Sequence, residues 1–161
     1  MDRTLNAECF CGEVRLNING APEAMGYCHC DSCRHWSAGP INAFSLWAPA
    51  NIQIERGESN LRTYAKTDNS LRKWCDSCGG HIMTDHPKME LIDVYSAVIS
   101  QFEFIPSVHV FYSEKRISVP DGLPKFSDMP KEMGALVNFC LISNVTKEIF
   151  FYFHLTEETY L

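Results

Sequence analysis

The chain has 161 residues, of which 45% are hydrophobic, and this is typical of one globular domain that buries about two thirds of its unfolded surface. Its net charge of -6 argues against a nucleic-acid partner, because nucleic-acid-binding surfaces carry clustered Lys and Arg. The N-terminus lacks the apolar core of a signal peptide and no later stretch reaches the roughly 18 apolar residues of a membrane span, so we predict a cytoplasmic protein with no membrane partner.

Short β-prone runs separated by turn residues dominate the chain. Hydrophobic and polar residues alternate around Val14, Leu16 and Ile18 and again around Ile52 and Ile54, which predicts strands with one buried face. The predicted strands are residues 13–18, 41–47, 51–57, 61–67, 80–84, 91–99 and 108–113. Many short strands, with a turn about every ten residues, favour antiparallel sheets arranged as a sandwich or an open barrel.

Helix is scarce in this sequence. One or two turns are predicted from Ser32 to about Ser37, with Asp31 or Ser32 as the N-cap residue. The last segment, residues 135–161, changes character, since its run 149–153 is aromatic and uncharged. We predict that this segment is an extension with no catalytic part.

Seven of the eight cysteines fall into three clusters, and in a reducing cytosol such thiols serve as metal ligands or nucleophiles rather than disulfides. The clusters are Cys9-x-Cys11, Cys28-x-Cys30-x-x-Cys33 and Cys75-x-x-Cys78. Residues i and i+2 of a strand face the same side, and a C-x-x-C pair converges by wrapping a tight turn. Gly79 and Gly80 are expected to supply positive φ angles for that turn. The eighth cysteine, Cys140, is predicted to be a small buried hydrophobe.

The first and third clusters together provide four thiolates, which is the number that a closed tetrahedral zinc site requires. We therefore predict a structural zinc site formed by Cys9, Cys11, Cys75 and Cys78. Such a site would tie an N-terminal hairpin to a second hairpin far along the chain, and closing so long a loop restricts the unfolded state. Loss of one thiolate is expected to reduce folded protein before it reduces activity.

The middle cluster provides only three thiolates. Catalytic zinc sites have three protein ligands and a fourth position for water or substrate, so Cys28, Cys30 and Cys33 are predicted to hold a catalytic zinc. One alternative is a closed site completed by a histidine, for which the candidates are His29, His35 and His81. The other alternative is oxidation of the cysteines in pairs.

Two residues after Cys33 are candidate ligand-binding groups. Three thiolates on Zn²⁺ leave a net negative charge, which Arg34 and His35 could offset while donating hydrogen bonds to an anionic ligand. Arg34 as an ordinary surface arginine remains the alternative. Trp36 and Phe44 are candidates for a pocket wall, with ordinary core packing as the favoured interpretation.

Four segments in this order resemble the glutathione-dependent formaldehyde-activating family, whose fold is similar to that of the Mss4-like β-tent proteins. They are CxCGxV at 9–14, CHCDSCR at 28–34, WCDSCGG at 74–80 and HVFYSEKRISVPDGLPKF at 109–126. The resemblance runs from Cys9 to Gly134, so we predict a zinc domain over residues 1–134 and an extension over 135–161. Two departures are Ser118, where the family often has tryptophan, and the segment after Gly134.

The resemblance implies a mainly β fold, a β-tent of short antiparallel sheets with a structural zinc and little helix. It implies that the four-cysteine set holds the structural zinc and that Cys28, Cys30 and Cys33 hold the labile, catalytic one, giving two Zn²⁺ per chain. It also implies a carbon-sulfur lyase that condenses the thiol of glutathione with formaldehyde to S-hydroxymethylglutathione.

The mechanism that we infer from the sequence has three steps. A thiol joins the Cys28, Cys30 and Cys33 zinc as thiolate, adds to the carbonyl carbon of a small aldehyde, and leaves an oxyanion that a donor such as Arg34, His35 or His81 stabilises. A variant has the thiol displacing the metal. The alternatives are another thiol or aldehyde as substrate, or a non-enzymatic zinc-binding interaction module such as the relatives similar to centromere protein V. The sequence does not indicate an oligomeric state.

Overall fold

A computed structural model describes residues 4–130. Within this range the chain forms ten strands and one α-helix, with short 3-10 turns in several of the connections. The strands are β1 (Leu5–Glu8), β2 (Arg15–Ile18), β3 (Ala24–Cys28), β4 (Asn42–Trp47), β5 (Ile52–Arg56), β6 (Leu61–Thr67), β7 (Ser70–Cys75), β8 (His81–His86), β9 (Leu91–Val94) and β10 (Val108–Val110), and the helix is α1 (Asp31–Ser37). The predicted extension over 135–161 and Cys140 lie outside the described residues.

The strands form two sheets, which confirms the mainly β fold class. A three-stranded sheet has the order β1-β2-β5, and a seven-stranded sheet has the order β10-β3-β4-β9-β8-β7-β6. Neighbouring strands are antiparallel except for β10, which pairs in parallel with β3. The pair β10–β3 is therefore a parallel exception to the predicted antiparallel sheets. A parallel pair needs a long connection, and here the whole remainder of the large sheet separates the two strands.

The main hydrophobic core lies where the two sheets pack on each other. Val14, Leu16 and Ile18 are fully buried there, as their alternation predicts. Trp47 and Val94 of the large sheet belong to the same core, and the Trp47 Nε1 group donates to Ser45 Oγ. Burial of such side chains is the dominant favourable term in folding.

A second, smaller core contains Cys28, Phe44, Leu46 and Val110. Phe44 is thus a core residue beside the middle cysteine cluster, and its ring does not form an open pocket wall. This core supports the segment that carries the three clustered thiols.

Several element boundaries differ from the sequence prediction. Strands β1, β3 and β7 escaped detection because their side chains are buried or exposed without regular alternation. The predicted strand 91–99 ends at Val94, where a 3-10 turn follows, and the predicted strand 108–113 ends at Val110 because Phe111 has a φ of 55°. The helix is found where predicted, but its N-cap is Cys30, whose Sγ accepts a hydrogen bond from the Cys33 N–H.

Gly26 of β3 lies where β3, β4 and β10 approach one another most closely. A Cβ atom placed there would be 2.5 Å from Val108 O and 2.7 Å from the Phe44 ring. We expect Gly26→Ala to lower the free energy of unfolding by about 1–3 kcal/mol, because β10 must move away from β3. Urea denaturation measures this change. Gly39→Ala is the control, since its Cβ would meet only ordinary contacts of 3.5 Å or more, and equal stability of the two variants would contradict the expectation.

None of the helices in residues 4–130 is long and apolar enough to cross a bilayer.

Candidate metal centres and active site

The first candidate centre joins two hairpin ends that are far apart in sequence. Cys9 and Cys11 lie in the turn between β1 and β2, whereas Cys75 ends β7 and Cys78 lies in the turn before β8. The Sγ atoms of all four cysteines lie within 4.8 Å of one another. The structure therefore assembles the group of four thiols that the spacing predicts.

The geometry of this group fits a tetrahedral metal. Four sulfurs at about 2.3 Å from a zinc ion would lie about 3.8 Å from one another. The observed separations are 3.6 Å between the Sγ atoms of Cys9 and Cys11 and 3.9 Å between those of Cys11 and Cys75. Both distances are far above the S–S length of a disulfide, which is about 2.05 Å.

Backbone N–H groups donate hydrogen bonds to two sulfurs of this cluster. The Val14 N–H donates to Cys9 Sγ at 3.2 Å, and the Gly80 N–H donates to Cys78 Sγ at 3.4 Å. The Gly80 bond, with smaller contributions from Cys11 and Cys75, lowers the pKa of the Cys78 thiol to about 6. Against the Glu13 backbone hydrogen bond, burial and the neighbouring thiols raise the pKa of Cys11. A sulfur that is already ionised binds zinc without first losing a proton.

The two glycines of the turn act differently from each other. Gly79 has a φ of 71°, which confirms the expected left-handed conformation. Gly80 does not have a positive φ, so that part of the prediction is wrong. Its missing side chain serves close packing instead, because a Cβ atom would lie 3.2 Å from both Cys78 Sγ and Phe10 N.

The second candidate centre is formed by one continuous segment. Cys28 is the last residue of β3, Cys30 caps α1, and Cys33 lies in the first turn of α1. The three Sγ atoms lie within 4.8 Å of one another, with Cys28 buried and the other two partly exposed. A strand end followed at once by a helix start thus brings the three sulfurs together.

Cys30 is the thiol of this cluster whose pKa is lowered. Hydrogen bonds from the Cys28 and Cys33 thiols lower the pKa of Cys30, and the Cys33 N–H and the Arg72 guanidinium add to the effect. The same sharing of protons raises the pKa of Cys28. The cluster is therefore prepared to bind a cation, and its soft sulfur donors suit zinc.

None of the histidines proposed as a fourth ligand joins the cluster. Among residues 4–130, no imidazole or carboxylate ligand atom lies within 4.8 Å of all three sulfurs. His29 is fully buried and turned towards His109, His35 is exposed, and His81 stacks on Trp36 with ring centroids 4.0 Å apart. The closed Cys3His alternative therefore finds no support in this part of the chain.

Arg34 occupies a different place from the one expected of a ligand-binding residue. Its Nε donates to His29 O at 2.7 Å and its Nη2 donates to Asp31 Oδ1 at 3.1 Å, while the residue is only 8% exposed. Arg34 therefore ties helix α1 to the backbone between Cys28 and Cys30. Ligand binding by His35, whose side chain is exposed, stays a prediction.

Arg72 of β7 is the cation that the sequence analysis missed. It is 5% exposed, its Nη2 donates to Ser32 Oγ at 2.9 Å, and its guanidinium lies 5.4 Å from the Trp36 ring centroid. Its charge lowers the pKa of Cys30, and it also opposes the increase in the pKa of Cys33. The only sequence signal was its two-residue spacing from Trp74, which also contacts Trp36.

A buried polar row continues from Arg72 across the large sheet. Arg72 pairs with Thr84, and Thr84 pairs with Asp93, so the three side chains project from the same face. Burial raises the pKa of Asp93 to about 7, although the Ser45 N–H and Arg72 oppose this shift. The Tyr95 hydroxyl lies 3.1 Å from Thr84 Oγ1. Burying polar groups costs free energy unless they form hydrogen bonds with each other or with a ligand.

The aromatic ring of Trp36 packs over the Arg72 guanidinium. Trp36 of α1 is partly exposed and makes an edge contact with Trp74 of β7, with ring centroids 5.9 Å apart. Its indole Nε1 is a buried donor with no hydrogen-bond partner in the structure. Trp36 packs against Trp74, His81 and Arg72, and its role as a pocket wall stays a prediction.

A family model described as "Glutathione-dependent formaldehyde-activating enzyme" matches residues 4–114. This range contains all seven clustered cysteines and Arg72. The match ends before residues 115–134, which the resemblance in sequence also includes.

The proteins similar to this chain include a fungal lyase and a bacterial protein of known structure. An uncharacterized lyase of Schizosaccharomyces pombe is 28% identical over 71 residues, which are 44% of this chain and 50% of that protein. The matched region thus spans half the length of this curated relative. A Rhodobacter sphaeroides protein of known crystal structure aligns with a TM-score of 0.52 at 18% identity, covering 61% of this chain and 90% of that one. At this identity the likeness concerns the fold alone.

Proposed function

Because this chain belongs to the family of glutathione-dependent formaldehyde-activating enzymes, we propose that it is a carbon-sulfur lyase acting at the Cys28, Cys30 and Cys33 cluster. The observation that carries the proposal is a set of three thiols with no fourth protein ligand among the described residues, next to a buried guanidinium. A purely structural zinc site would be expected to have four protein ligands. The lyase name of the Schizosaccharomyces pombe relative agrees with this reaction class.

The reaction that we assign is the reversible condensation of glutathione with formaldehyde or a similar small aldehyde. A bond forms between the thiol sulfur and the carbonyl carbon, and the thiol proton ends on the former carbonyl oxygen. The C=O double bond becomes a C–O single bond, so no oxidant, reductant or further reactant is needed. Zinc bound to thiolates lowers the pKa of an added thiol and so supplies a nucleophile at neutral pH.

The chain's own residues have two tasks in this proposal. Cys28, Cys30 and Cys33 would hold the metal, since their sulfurs lie within 4.8 Å of one another. Arg72 would offset the negative charge that grows when a fourth sulfur joins three thiolates. This task falls to Arg72 because the Arg34 guanidinium is bound to Asp31 and to the His29 backbone.

Replacing Arg72 by methionine tests its role. Met keeps the apolar stem but removes the charge, so we expect KM for the thiol to rise about 10- to 100-fold, which corresponds to about 1.5–3 kcal/mol for a hydrogen bond to a charged group. Arg72→Lys should restore part of the affinity. Lys73→Met is the matched control, because Lys73 lies on the other face of β7 and contacts Thr63. A wild-type KM in Arg72→Met would refute the role of counter-charge.

Turnover with different thiols tests the reaction itself. The purified protein should consume formaldehyde faster with glutathione than with cysteine or 2-mercaptoethanol, followed by loss of free formaldehyde. Metal analysis on the same sample should give two zinc ions per chain, one of which a mild chelator removes readily. Two equally inert zinc ions and no thiol-dependent consumption would favour the alternative of an interaction module. The predicted cytoplasmic location stays a prediction.

A further inference from the structure

A buried chain of side chains lies behind the three-thiol cluster, on the side away from the sulfurs. His29 Nε2 lies 2.8 Å from His109 Nδ1, and His109 Nε2 lies 2.7 Å from Asp121 Oδ2. Both imidazoles are fully buried, and Lys125 Nζ completes the chain by donating to Asp121 Oδ1 at 2.8 Å. The proposed reaction requires none of these groups to touch a substrate.

The direction of the hydrogen bonds follows from what each group can donate. Burial opposes ionisation of Asp121, but hydrogen bonds from Lys125 and His109 hold its pKa well below the usual range, so the carboxylate only accepts. His109 therefore donates from Nε2 to Asp121, and in the neutral form of its ring it accepts through Nδ1. His29 must then donate from Nε2, and its Nδ1 has no partner in the structure. Within residues 4–130, the bond to His109 is thus the one hydrogen bond that holds the His29 ring.

His29 stands between two of the candidate metal ligands. Cys28 and Cys30 are its immediate neighbours in the chain, and Cys30 has the extended φ and ψ of -61° and 146°. In an extended segment, neighbouring side chains point to opposite sides, so the buried His29 ring and the two sulfurs face away from each other. Any rotation of the His29 residue would therefore move both sulfurs.

The His29 backbone is fixed as firmly as its ring. Its N–H donates to Val110 O at 3.0 Å, and its carbonyl accepts from Arg34 Nε at 2.7 Å. Tyr112 also packs edge-on against both imidazoles, with ring centroids 4.8 Å from His29 and 5.7 Å from His109. Strand β10 and the segment that follows it thus contact the cysteine segment on the side of the His29 ring.

From this arrangement we propose that His109 and Asp121 are positioning residues that hold His29, and through it Cys28 and Cys30, in the geometry that binds metal. The inference rests on the proposed function only in taking the three-thiol cluster as a metal site. It assigns a role to His109 and to Asp121, and Asp121 lies beyond the end of the family match at residue 114. Groups that orient metal ligands typically change metal affinity about 10- to 100-fold when they are replaced.

The variant His109→Phe separates this role from packing. Phenylalanine keeps a ring against Tyr112 and Tyr27 but removes both hydrogen bonds, leaving His29 without a partner. Removal of Co²⁺ by a chelator from the full-length protein loaded with cobalt at both centres, followed through the sulfur-to-cobalt absorption bands, reports the affinity of each centre. We expect the affinity of the three-thiol centre to fall about 10- to 100-fold and that of the four-thiol centre to stay unchanged.

Two further variants keep the test decisive. Asp121→Asn is milder, since its side chain is 29% exposed and the amide oxygen can still accept from His109, and it should weaken the same centre to a smaller degree. His86→Phe is the matched control, because it removes a hydrogen bond of 2.8 Å from a partly buried histidine at the far end of β8 and should change neither centre.

The possible outcomes distinguish this inference from the proposed reaction. Wild-type cobalt affinity at both centres in His109→Phe and Asp121→Asn, or equal weakening of both centres, would refute the positioning role. Selective weakening of the three-thiol centre supports it, even if the wild-type protein proves inactive with glutathione and formaldehyde, in which case the proposed reaction alone would be wrong.

Discussion

The variant Cys30→Ser is expected to stay folded, to bind one zinc ion fewer per chain and to lose thiol-dependent formaldehyde consumption. Cys30 has two roles, as a candidate metal ligand and as the N-cap of α1, where its Sγ accepts the Cys33 N–H at 3.2 Å. Serine is a good N-cap, so the replacement preserves the helix start while its hydroxyl is a poor substitute for a thiolate ligand. The change therefore isolates metal binding from local folding.

The measurements are zinc content by elemental analysis, helix and sheet content by circular dichroism, and formaldehyde loss in the presence of glutathione. We expect activity to fall at least about 1000-fold, because the proposed nucleophile forms only at the intact centre. Cys30→Ala is the comparison, since it loses the same ligand and also the cap, at a further cost of about 1 kcal/mol in stability. Unchanged consumption by a Cys30→Ser protein that binds one zinc fewer would remove the metal from the chemistry.

The second large effect is expected at the four-thiol centre, where Cys75→Ser should destabilise the whole fold. Cys75 is fully buried in the core between the two sheets, and its partner Cys11 is 64 residues away in sequence. Loss of a ligand would release the tie between the two hairpins, and the buried hydroxyl adds a desolvation cost. Loss of a structural metal is one of the changes that lower the free energy of unfolding by more than about 4 kcal/mol.

Thermal unfolding measures this effect. A loss of about 4 kcal/mol corresponds to a decrease in Tm of about 8–16 °C for a chain of this size. Cys11→Ser is the matched variant, because it removes a ligand of the same centre from an exposed position and so lacks the cost of burying a hydroxyl. It should lower Tm less than Cys75→Ser does. If the Cys75→Ser protein has lost a zinc ion but keeps the wild-type Tm, this centre does not stabilise the fold.

Close spacing along the chain made the two cysteine pairs and the cysteine triplet predictable. The pairs Cys9/Cys11 and Cys75/Cys78 and the triplet from Cys28 to Cys33 are each separated by so few residues that local backbone geometry brings their sulfurs together. The strands around Leu16 and Ile54 were predictable for a similar reason, because one face of each packs inward and the residues alternate. Strand β3 was not predictable, because Gly26 interrupts its hydrophobic pattern. A glycine is needed at this position because Val108 packs closely against it.

The roles of the charged and polar residues around the cluster were not predictable in this way. Arg34 follows Cys33 directly and looked like the counter-charge, but the helix turns its guanidinium towards the His29 carbonyl. Arg72 occupies the place beside the thiols because β7 lies near α1 in the assembled structure. Adjacency in sequence does not determine which way a long side chain points.

The amino-acid pattern was enough to predict the class of fold, the family, the two cysteine pairs and the cysteine triplet, because each depends on short motifs along the chain. The assembled fold was needed to bring the two cysteine pairs together across 64 residues, to place His29 against His109, which is 80 residues away, and to join β10 to β3 in parallel. Such contacts arise from packing between distant segments. Their free energy depends on burial and on hydrogen-bond geometry, neither of which leaves a periodic trace in the sequence.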